Sequence, residues 1–254
     1  MGGSFDRIRI RIRHPFPSPR LGGPGVRSTP ERDLIRSAVR GKDVPGLERI
    51  EVLRRQLLQN PKLLHVPDHG AGSRHRTGEK RSVRQLVRTT AVPASKGRLL
   101  ARIASFFGFP VVIELGTGTG ISSLYLGMAC PRSQVLSCEG SPALARLAAS
   151  NIAEMGLPNI EVSNALFGDW LPGVLDRVQG DVLVFIDGDH REESLQRYCS
   201  LILASGLGKI VLVLDDIRWS PEMYRAWKRL SAPGTSGRGF EFHNTGILLS
   251  GFDF

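Results

Sequence analysis

The stretch that most constrains this chain is an apolar, β-branched segment that enters a turn with glycine at alternate positions, at residues 111–123. It reads Val-Val-Ile-Glu-Leu-Gly-Thr-Gly-Thr-Gly-Ile-Ser-Ser. Because Gly116, Gly118 and Gly120 lack a Cβ atom, the backbone there can approach a ligand closely. A helix beginning near Ile121 would direct its first N–H groups to the same place. The pattern predicts a strand, a ligand-binding turn and a helix.

Two nucleotide-binding motifs are excluded by single positions in this stretch. The dinucleotide fingerprint G-x-G-x-x-G requires a glycine where the chain has Ile121. The phosphate-binding loop G-x-x-x-x-G-K-[ST] requires a lysine after the glycines, and none follows. Glu114 lies two residues before the first glycine, so the remaining pattern is acidic-x-G-x-G-x-G. A tight strand-to-helix bend without a ligand is the alternative interpretation.

Composition places the chain among soluble globular proteins, with 41% hydrophobic and 23% charged residues in 254. No apolar run approaches the ~18 residues of a membrane-spanning helix, so we expect no membrane partner. Cys130, Cys138 and Cys199 form no C-x-x-C pair. A disulfide framework or a zinc site is therefore disfavoured, and a cytoplasmic location is expected.

Positive charge is concentrated in the N-terminal part of the chain. Residues 1–100 contain 22 Lys and Arg against 8 Asp and Glu, and the remaining residues contain 12 against 16. The whole chain has a formal net charge of +10. This asymmetry permits contact with nucleic acid or an anionic surface without requiring it.

The N-terminal half divides into segments of different character. Isoleucine and arginine alternate over residues 5–13, which predicts a short edge strand, and a Pro/Gly-rich linker follows to residue 30. Helical spacing over 31–64 and again over 83–107 predicts helices on either side of a polar, Gly-rich loop at 65–82. We therefore divide the chain into three parts: a basic arm (1–45), a helical cap (46–107) and a catalytic domain (108–254).

The loop at 65–82 holds three of the six histidines, His65, His69 and His75. A solvated loop, a mobile loop that closes over a ligand and a metal site are the three interpretations. Pro67 would break the helix that could align the histidines, so the metal interpretation ranks last.

Strands and helices alternate regularly after the glycine motif. Short apolar runs predict strands at residues 134–138, 159–165, 181–186, 209–214, 240–243 and 247–250. Strands that are apolar on both faces and joined by helices predict an α/β fold with a doubly wound, Rossmann-like, mostly parallel sheet of seven strands and a helical, basic N-terminal extension. Ligands of such sheets bind beyond the C-terminal strand ends. The glycines, Glu139, Asp187 and Asp215 would share that edge.

Carboxylates follow three of these predicted strands. Glu139 comes 19 residues after Gly120, where a carboxylate can accept both hydroxyls of an adenosine ribose. Asp187 follows the predicted strand at 181–186, and Asp215 and Asp216 follow the one at 209–214. A divalent cation such as Mg²⁺, Mn²⁺ or Ca²⁺ would relieve the repulsion between them. As the alternative, Asp215 or Asp216 caps a helix, or Asp187 only orders the cofactor pocket.

The region from about 110 to 250 resembles the class I S-adenosylmethionine (SAM)-dependent methyltransferases, closest to the catechol and caffeoyl-CoA O-methyltransferase branch. The resemblance rests on the glycine motif, Glu139, Asp-Gly-Asp-His at 187–190 and Asp-Asp-Ile-Arg-Trp-Ser at 215–220. It also extends to bacterial methyltransferase-like proteins. The residues that it assigns to the SAM pocket are Glu114, Gly116, Thr117, Gly118, Gly120, Ser122, Glu139, Ala165 and Asp187.

The same resemblance implies a metal site and catalytic residues. Asp187, Asp215 and Asp216 would be the metal ligands, and Asp187 and His190 would be catalytic. Two residues depart from the branch, since His190 stands where its lysine base is expected and Asp216 where its asparagine ligand is expected. A histidine can still serve as the general base at neutral pH. His190 as an ordinary loop residue is the alternative.

These observations predict an enzyme that transfers the methyl group of SAM to a hydroxyl oxygen of a small molecule. A divalent metal would lower the pKa of that hydroxyl, and His190 would take its proton. The alternative is an RNA-directed methyltransferase that docks through the basic arm. A SAM-fold scaffold without catalysis is a third hypothesis, and a homodimer is compatible with all three.

Overall fold

The computed structural model describes residues 30–66, 80–232, 234–235 and 237–253. The predicted edge strand and nearly all of the linker lie outside the described residues. So do most of the predicted loop and two of its histidines, His69 and His75. Of that loop, residues 65–66 and 80–82 are described.

Helices and strands alternate along the described part of the chain. Its helices are α1 (Pro30–Val39), α2 (Glu48–Leu57), α3 (Val83–Thr90), α4 (Ala94–Phe107), α5 (Ile121–Ala129), α6 (Pro142–Met155), α7 (Phe167–Leu175), α8 (Glu192–Leu203) and α9 (Pro221–Leu230). Its strands are β1 (Leu63–His65), β2 (Lys80–Ser82), β3 (Val111–Leu115), β4 (Gln134–Glu139), β5 (Ile160–Asn164), β6 (Val182–Ile186), β7 (Ile210–Leu214), β8 (Arg238–Phe242) and β9 (Thr245–Ser250).

Seven strands form one sheet in the order β5-β4-β3-β6-β7-β9-β8. The five strands from β5 to β7 are parallel, and β9 runs antiparallel to both of its neighbours. The chain builds outward from β3 in one direction and then returns to place β6 on its other side. This order confirms the predicted doubly wound sheet, and it opens a crevice beyond the adjacent ends of β3 and β6.

Two apolar layers cover the sheet. Alternation along β3 sends Val112 to one face and Ile113 and Leu115 to the other. Helices α4, α5 and α6 pack on the first face together with the helical cap, while α7, α8 and α9 pack on the second. None of the helices in the described ranges is both long and apolar enough to cross a lipid bilayer.

Helix α1 begins inside the segment that the sequence assigns to the arm, and it packs against α4. Ile35 and Ala38 are completely buried in this contact. Arg102 of α4 donates from Nε to the Val39 carbonyl at 2.9 Å and from Nη1 to Asp43 at 2.8 Å. Residues 30–45 therefore pack with the helical cap. The proposed domain boundary at residue 45 stays a prediction.

Three elements were not predicted from the sequence, namely β1, β2 and α7. The segment at 83–107 was expected as one or two helices and forms two, and the first has a capping box between Ser82 and Gln85. Strands β1 and β2 pair antiparallel in front of it. Helix α7 was not predicted because Gly168 and Pro172 lie inside it, and both residues normally disfavour a helix.

Close packing of α4 on α5 depends on Gly97. A Cβ atom at this position would lie 2.3 Å from the ring of Tyr125, which is completely buried. The Tyr125 hydroxyl in turn donates to Glu51 Oε1 of α2 at 2.7 Å. Gly97 thus allows Tyr125 of α5 to contact two helices of the cap, α2 and α4.

We expect Gly97→Ala to lower the free energy of unfolding by about 1–3 kcal/mol, because the new methyl group displaces the Tyr125 ring. The matched control is Gly173→Ala in α7, where an added Cβ meets nothing within 4 Å. This control should gain about 0.5–1 kcal/mol from helix propensity. Urea unfolding followed by circular dichroism measures both, and a stabilised Gly97→Ala variant would contradict the packing.

Candidate active site

A cleft of about 760 Å³ lies beyond the carboxyl ends of the parallel strands. The loops that follow β3, β4, β6 and β7 form its floor, and the start of α4 forms one wall. It brings together most of the predicted site residues, namely Gly116, Thr117, Gly118, Ser122, Glu139, Asp187, His190, Asp215 and Asp216.

Gly116 allows the ends of β3 and β6 to meet. Its φ is +110°, and a Cβ atom there would lie 2.2 Å from the carbonyl oxygen of Asp187. The N–H groups of Gly116 and Thr117 both donate to the Cys138 carbonyl, at 3.0 and 3.2 Å. The turn is therefore tied to β4 on one side and touches β6 on the other. Any side chain at Gly116 would separate the strand ends.

The Glu139 carboxylate is fixed by two backbone donors at the end of β4. Gly118 N–H donates to Oε2 at 2.9 Å, and Ser141 N–H donates to Oε1 at 2.8 Å. Each carboxylate oxygen can accept more than one hydrogen bond. The glycine turn and the start of α6 thus hold Glu139 with its carboxylate at the cleft surface.

Two buried hydroxyl groups line the cleft beside Glu139. Ser141 Oγ and Thr119 Oγ1 have no hydrogen-bond partner among the described residues, although both side chains are nearly inaccessible. Buried polar atoms in folded proteins almost always have a partner. A bound polar ligand would supply it. The sequence analysis missed this role for Ser141 because a serine before proline is also the usual start of a helix.

Three residues predicted to contact the cofactor lie elsewhere. Gly120 has φ +84°, and an added Cβ would lie 3.2 Å from Ala148, so this glycine lets α6 pack on the turn. Ala165 does not line the cleft, whereas the next residue, Leu166, does. Glu114 does not reach the cleft surface and is completely buried.

Glu114 supports the turn from below. Its Oε2 accepts hydrogen bonds from the hydroxyls of Ser123 and Ser137, the latter at 2.5 Å. Its Oε1 has no partner among the described residues. Burial raises the pKa of Glu114 above its ordinary value of 4.5, against the effect of the serine hydroxyls. Alternation along β3 points this side chain toward α5.

Lys96 is a second cleft residue that the sequence analysis missed. It lies near the start of α4, and its ammonium group forms an ion pair with Asp215. Asp216 Oδ1 is 3.9 Å from the same Nζ atom. Nothing in the sequence around position 96 distinguishes this lysine from a surface residue. Only the packing of α4 over the strand ends brings it to the carboxylates.

The pKa values of the groups in this cluster are shifted in different directions by burial and by neighbouring charges. Burial and the charges of Asp215 and Asp216 raise the pKa of Asp187 well above its ordinary value. Burial lowers the pKa of Lys96, but the neighbouring Asp215 outweighs it, and the lysine pKa is raised overall. Lys96 is therefore an ammonium at neutral pH. Burial lowers the pKa of His190, which favours its neutral form.

Asp216 is positioned by the hairpin between β8 and β9. Asn244 donates from Nδ2 to Asp216 Oδ1 at 2.5 Å and accepts from the N–H of Arg218 at 2.9 Å. The N–H of Ile217 donates to the Asn244 carbonyl at 3.1 Å. These bonds hold Asp216 at φ +51°. One of its carboxylate oxygens is thus already used by an amide.

His190 is held by stacking. Its ring lies 5.0 Å from that of Trp219, with 27° between the planes, and both line the cleft. The preceding residue, Asp189, has φ +50° and accepts a hydrogen bond from Tyr198 at 2.9 Å. The loops after β6 and β7 therefore meet through this aromatic pair, and the imidazole faces the cleft.

The residues present do not fit the predicted divalent metal. Asp187, Asp215 and Asp216 do lie at one edge of the sheet, as expected. However, within the described ranges no group of three His, Cys, Asp or Glu side chains is arranged to hold a metal ion. The Lys96 ammonium and the Asn244 amide already occupy carboxylate oxygens that a metal would require.

We expect the pH dependence of stability to reveal the buried Glu114. Since its pKa is raised in the folded state, the unfolded chain loses this proton first as the pH rises above 4.5. Stability relative to Glu114→Gln should then fall with rising pH, by at most about 1.4 kcal/mol per pH unit. Urea unfolding of both proteins between pH 4 and 8 measures the difference. Parallel curves would contradict this assignment.

Comparison with known proteins agrees with this architecture. Residues 113–217 match the model of a family described as a methyltransferase domain. A search of curated proteins found no match. The O-methyltransferase TomG from Streptomyces achromogenes, involved in tomaymycin synthesis and solved with SAM, is 19% identical with a TM-score of 0.59; the match covers 87% of this chain and 95% of TomG.

Two further solved structures share the fold. The O-methyltransferase from Bacillus cereus, in complex with SAH, is 18% identical with a TM-score of 0.56, covering 85% of this chain and 95% of its own. Cofactor-bound Rv0187 from MTB is 17% identical with a TM-score of 0.54, and the match covers 90% of this chain and 100% of Rv0187. The family match at residues 113–217 and the shared fold agree with the resemblance to SAM-dependent methyltransferases drawn from the sequence.

Proposed function

We propose that the protein transfers the methyl group of SAM to a hydroxyl oxygen of a small-molecule acceptor. The observation that carries this proposal is the Glu139 carboxylate, fixed at the cleft surface beside two buried hydroxyls without partners. TomG, solved with SAM, and the Bacillus cereus enzyme, solved with SAH, are both named O-methyltransferases. Their fold and their printed names support both the cofactor and an oxygen acceptor.

The chain offers a matching group for each part of the cofactor. Glu139 would accept hydrogen bonds from the ribose hydroxyls, and Ser141 and Thr119 would satisfy their own hydroxyls on the same ligand. Leu166 would lie beside the adenine. The turn around Gly116, with the Ser122 hydroxyl at the start of α5, would receive the amino acid end.

When bound, SAM supplies a methyl group on a positively charged sulfur. Transfer to the acceptor oxygen would break the carbon–sulfur bond, whose electron pair would remain on sulfur. His190, in its neutral form, takes the proton that leaves the acceptor oxygen. The cleft holds the two reactants in line, which supplies much of the rate acceleration.

The acceptor side of the cleft suits a small organic molecule. The whole cleft, cofactor side included, has a volume of about 760 Å³, within the usual range for small-molecule sites. Stacked His190 and Trp219 form one wall, and Phe167 and Tyr198 lie in edge contact with centroids 6.0 Å apart in the same lining. These surfaces would receive a hydroxylated, partly apolar acceptor. The RNA-directed alternative depends on the basic arm, of which residues 1–29 lie outside the described residues.

We expect Glu139→Ala to weaken SAM binding about 100-fold or more, because two charge-assisted hydrogen bonds to the ribose are lost. Isothermal titration calorimetry measures this without an acceptor. Glu161→Ala is the matched control, since Glu161 is exposed on the neighbouring strand β5. Equal affinities of wild type and Glu139→Ala would refute the proposed pocket.

Ser141→Ala separates cofactor binding from folding in the same titration. Because Ser141 Oγ has no partner in the described structure, its removal should change the free energy of unfolding by less than about 0.5 kcal/mol. SAM affinity should nevertheless fall about 2- to 10-fold, as one neutral hydrogen bond is lost. A destabilised variant with unchanged affinity would assign this hydroxyl to the fold.

For His190 we expect the substitution to glutamine to lower kcat about 10²- to 10⁴-fold while leaving SAM affinity unchanged, because the proton acceptor is removed. Transfer of labelled methyl from SAM to a panel of hydroxylated aromatic acceptors provides the assay. His243→Asn, in the hairpin turn outside the cleft lining, is the control. Full activity of His190→Gln would exclude the histidine as the base.

A further inference from the structure

Three carboxylates converge at the ends of β6 and β7 next to a single ammonium group. Asp187, Asp215 and Asp216 all line the cleft, and Lys96 lines it with them. The Asp215 side chain is 4% exposed and the Lys96 side chain 21% exposed. Carboxylates that lie together in one cleft repel one another unless a cation lies among them. Here that cation belongs to the protein.

Lys96 reaches this position from another layer of the fold. Helix α4 starts at Ala94, directly after Pro93, so its first turn projects over the strand ends. Gly97, the next residue, lets α4 approach α5 closely enough for the lysine to reach Asp215. The contact joins residues 119 positions apart in the chain. It is a long-range ion pair and not a local surface bridge.

We propose that the Lys96 ammonium takes the place of a divalent cation in this cleft, and that methyl transfer here needs no metal. The ammonium neutralises the carboxylates and keeps a second positive ion out of the same space by Coulomb repulsion. Two of the carboxylate oxygens are also engaged: Asp215 Oδ1 by Lys96, and Asp216 Oδ1 by the Asn244 amide.

The ammonium has a donor left for the acceptor. A lysine carries three N–H donors, and among the described residues its carboxylate partners are Asp215, directly paired, and Asp216 at 3.9 Å. The remaining N–H can donate to the acceptor oxygen from the cleft wall. This donation would favour loss of the hydroxyl proton to His190, as a metal ion would. This step rests on the proposed methyl transfer, whereas exclusion of the metal does not.

The first test is a titration of the wild-type protein with Mn²⁺, followed by electron paramagnetic resonance of the free ion. We expect no saturable site tighter than about 10⁻³ M, the weak end of protein Ca²⁺ sites. The result should not depend on added SAM. Stoichiometric binding in the micromolar range would overturn the proposal, whatever the acceptor proves to be.

The second test restores the carboxylate cluster with Lys96→Met, which keeps the length of the side chain without its charge. We expect this variant to bind Mn²⁺ at least about tenfold more tightly than wild type, since three carboxylates now lack a cation. Adding Mn²⁺ should also raise its Tm, while that of wild type stays constant. The double variant Lys96→Met/Asp215→Asn is the matched control and should lose this gain. If Lys96→Met does not fold, the wild-type titration alone decides.

The third test asks whether turnover depends on metal. Methyl transfer by the wild type in the acceptor panel should be unchanged by EDTA and by added Mg²⁺. Lys96→Arg, which keeps the charge, should retain more activity than Lys96→Met at equal SAM affinity. Loss of activity in EDTA would overturn the proposal. Failure of SAM to bind at all would refute the proposed function instead, and would leave the Mn²⁺ result standing on its own.

Discussion

The close contact between Gly116 and the Asp187 carbonyl is the constraint on which the rest of this site depends. At φ +110°, with only 2.2 Å available to a Cβ, position 116 accepts a hydrogen atom and little more. The contact brings together the ends of β3 and β6, the two strands between which the chain reverses its direction of winding. The crevice at such a reversal is where open α/β sheets bind ligands. The cleft residues that follow β3 and those that follow β6 consequently meet at a single glycine.

Charge is arranged in two layers around this contact. Below the turn, Glu114 is completely buried, with its pKa raised by burial and its hydrogen bonds supplied by serine hydroxyls. Above the turn, burial raises the pKa of Asp187, the charges of Asp215 and Asp216 raise it further, and Lys96 opposes them. A buried acid without a partner is costly unless it keeps its proton or acquires a cation. The raised pKa of Glu114 goes with the first solution, and Lys96 supplies the cation of the second beside Asp215 above the turn.

The sequence predicted the site residues that follow apolar strands, and it did not predict contacts between residues far apart in the chain. The glycine turn, the strand-end aspartates and Glu139 were predictable because each follows an apolar strand, and parallel strands bring their ends to one edge. Lys96 was not, since its partner Asp215 is 119 residues away and nothing local marks it. Helix α7 was hidden by Gly168 and Pro172, whose helix penalties are outweighed by the buried Leu171 and Val174. Glu114 was misplaced because alternation along β3 turns it toward α5.

The helical cap therefore lines the cleft and is not only a cover for the sheet. The strand ends alone present three carboxylates, which on electrostatic grounds would attract a divalent ion. Helix α4 changes that outcome by placing one ammonium among them, and the hairpin carrying Asn244 changes it further by occupying an oxygen of Asp216. Both partners come from outside the strand–turn–helix units that define the fold. The same sheet can thus present a metal site or an internal ion pair, and the elements packed around its C-terminal edge decide which one forms.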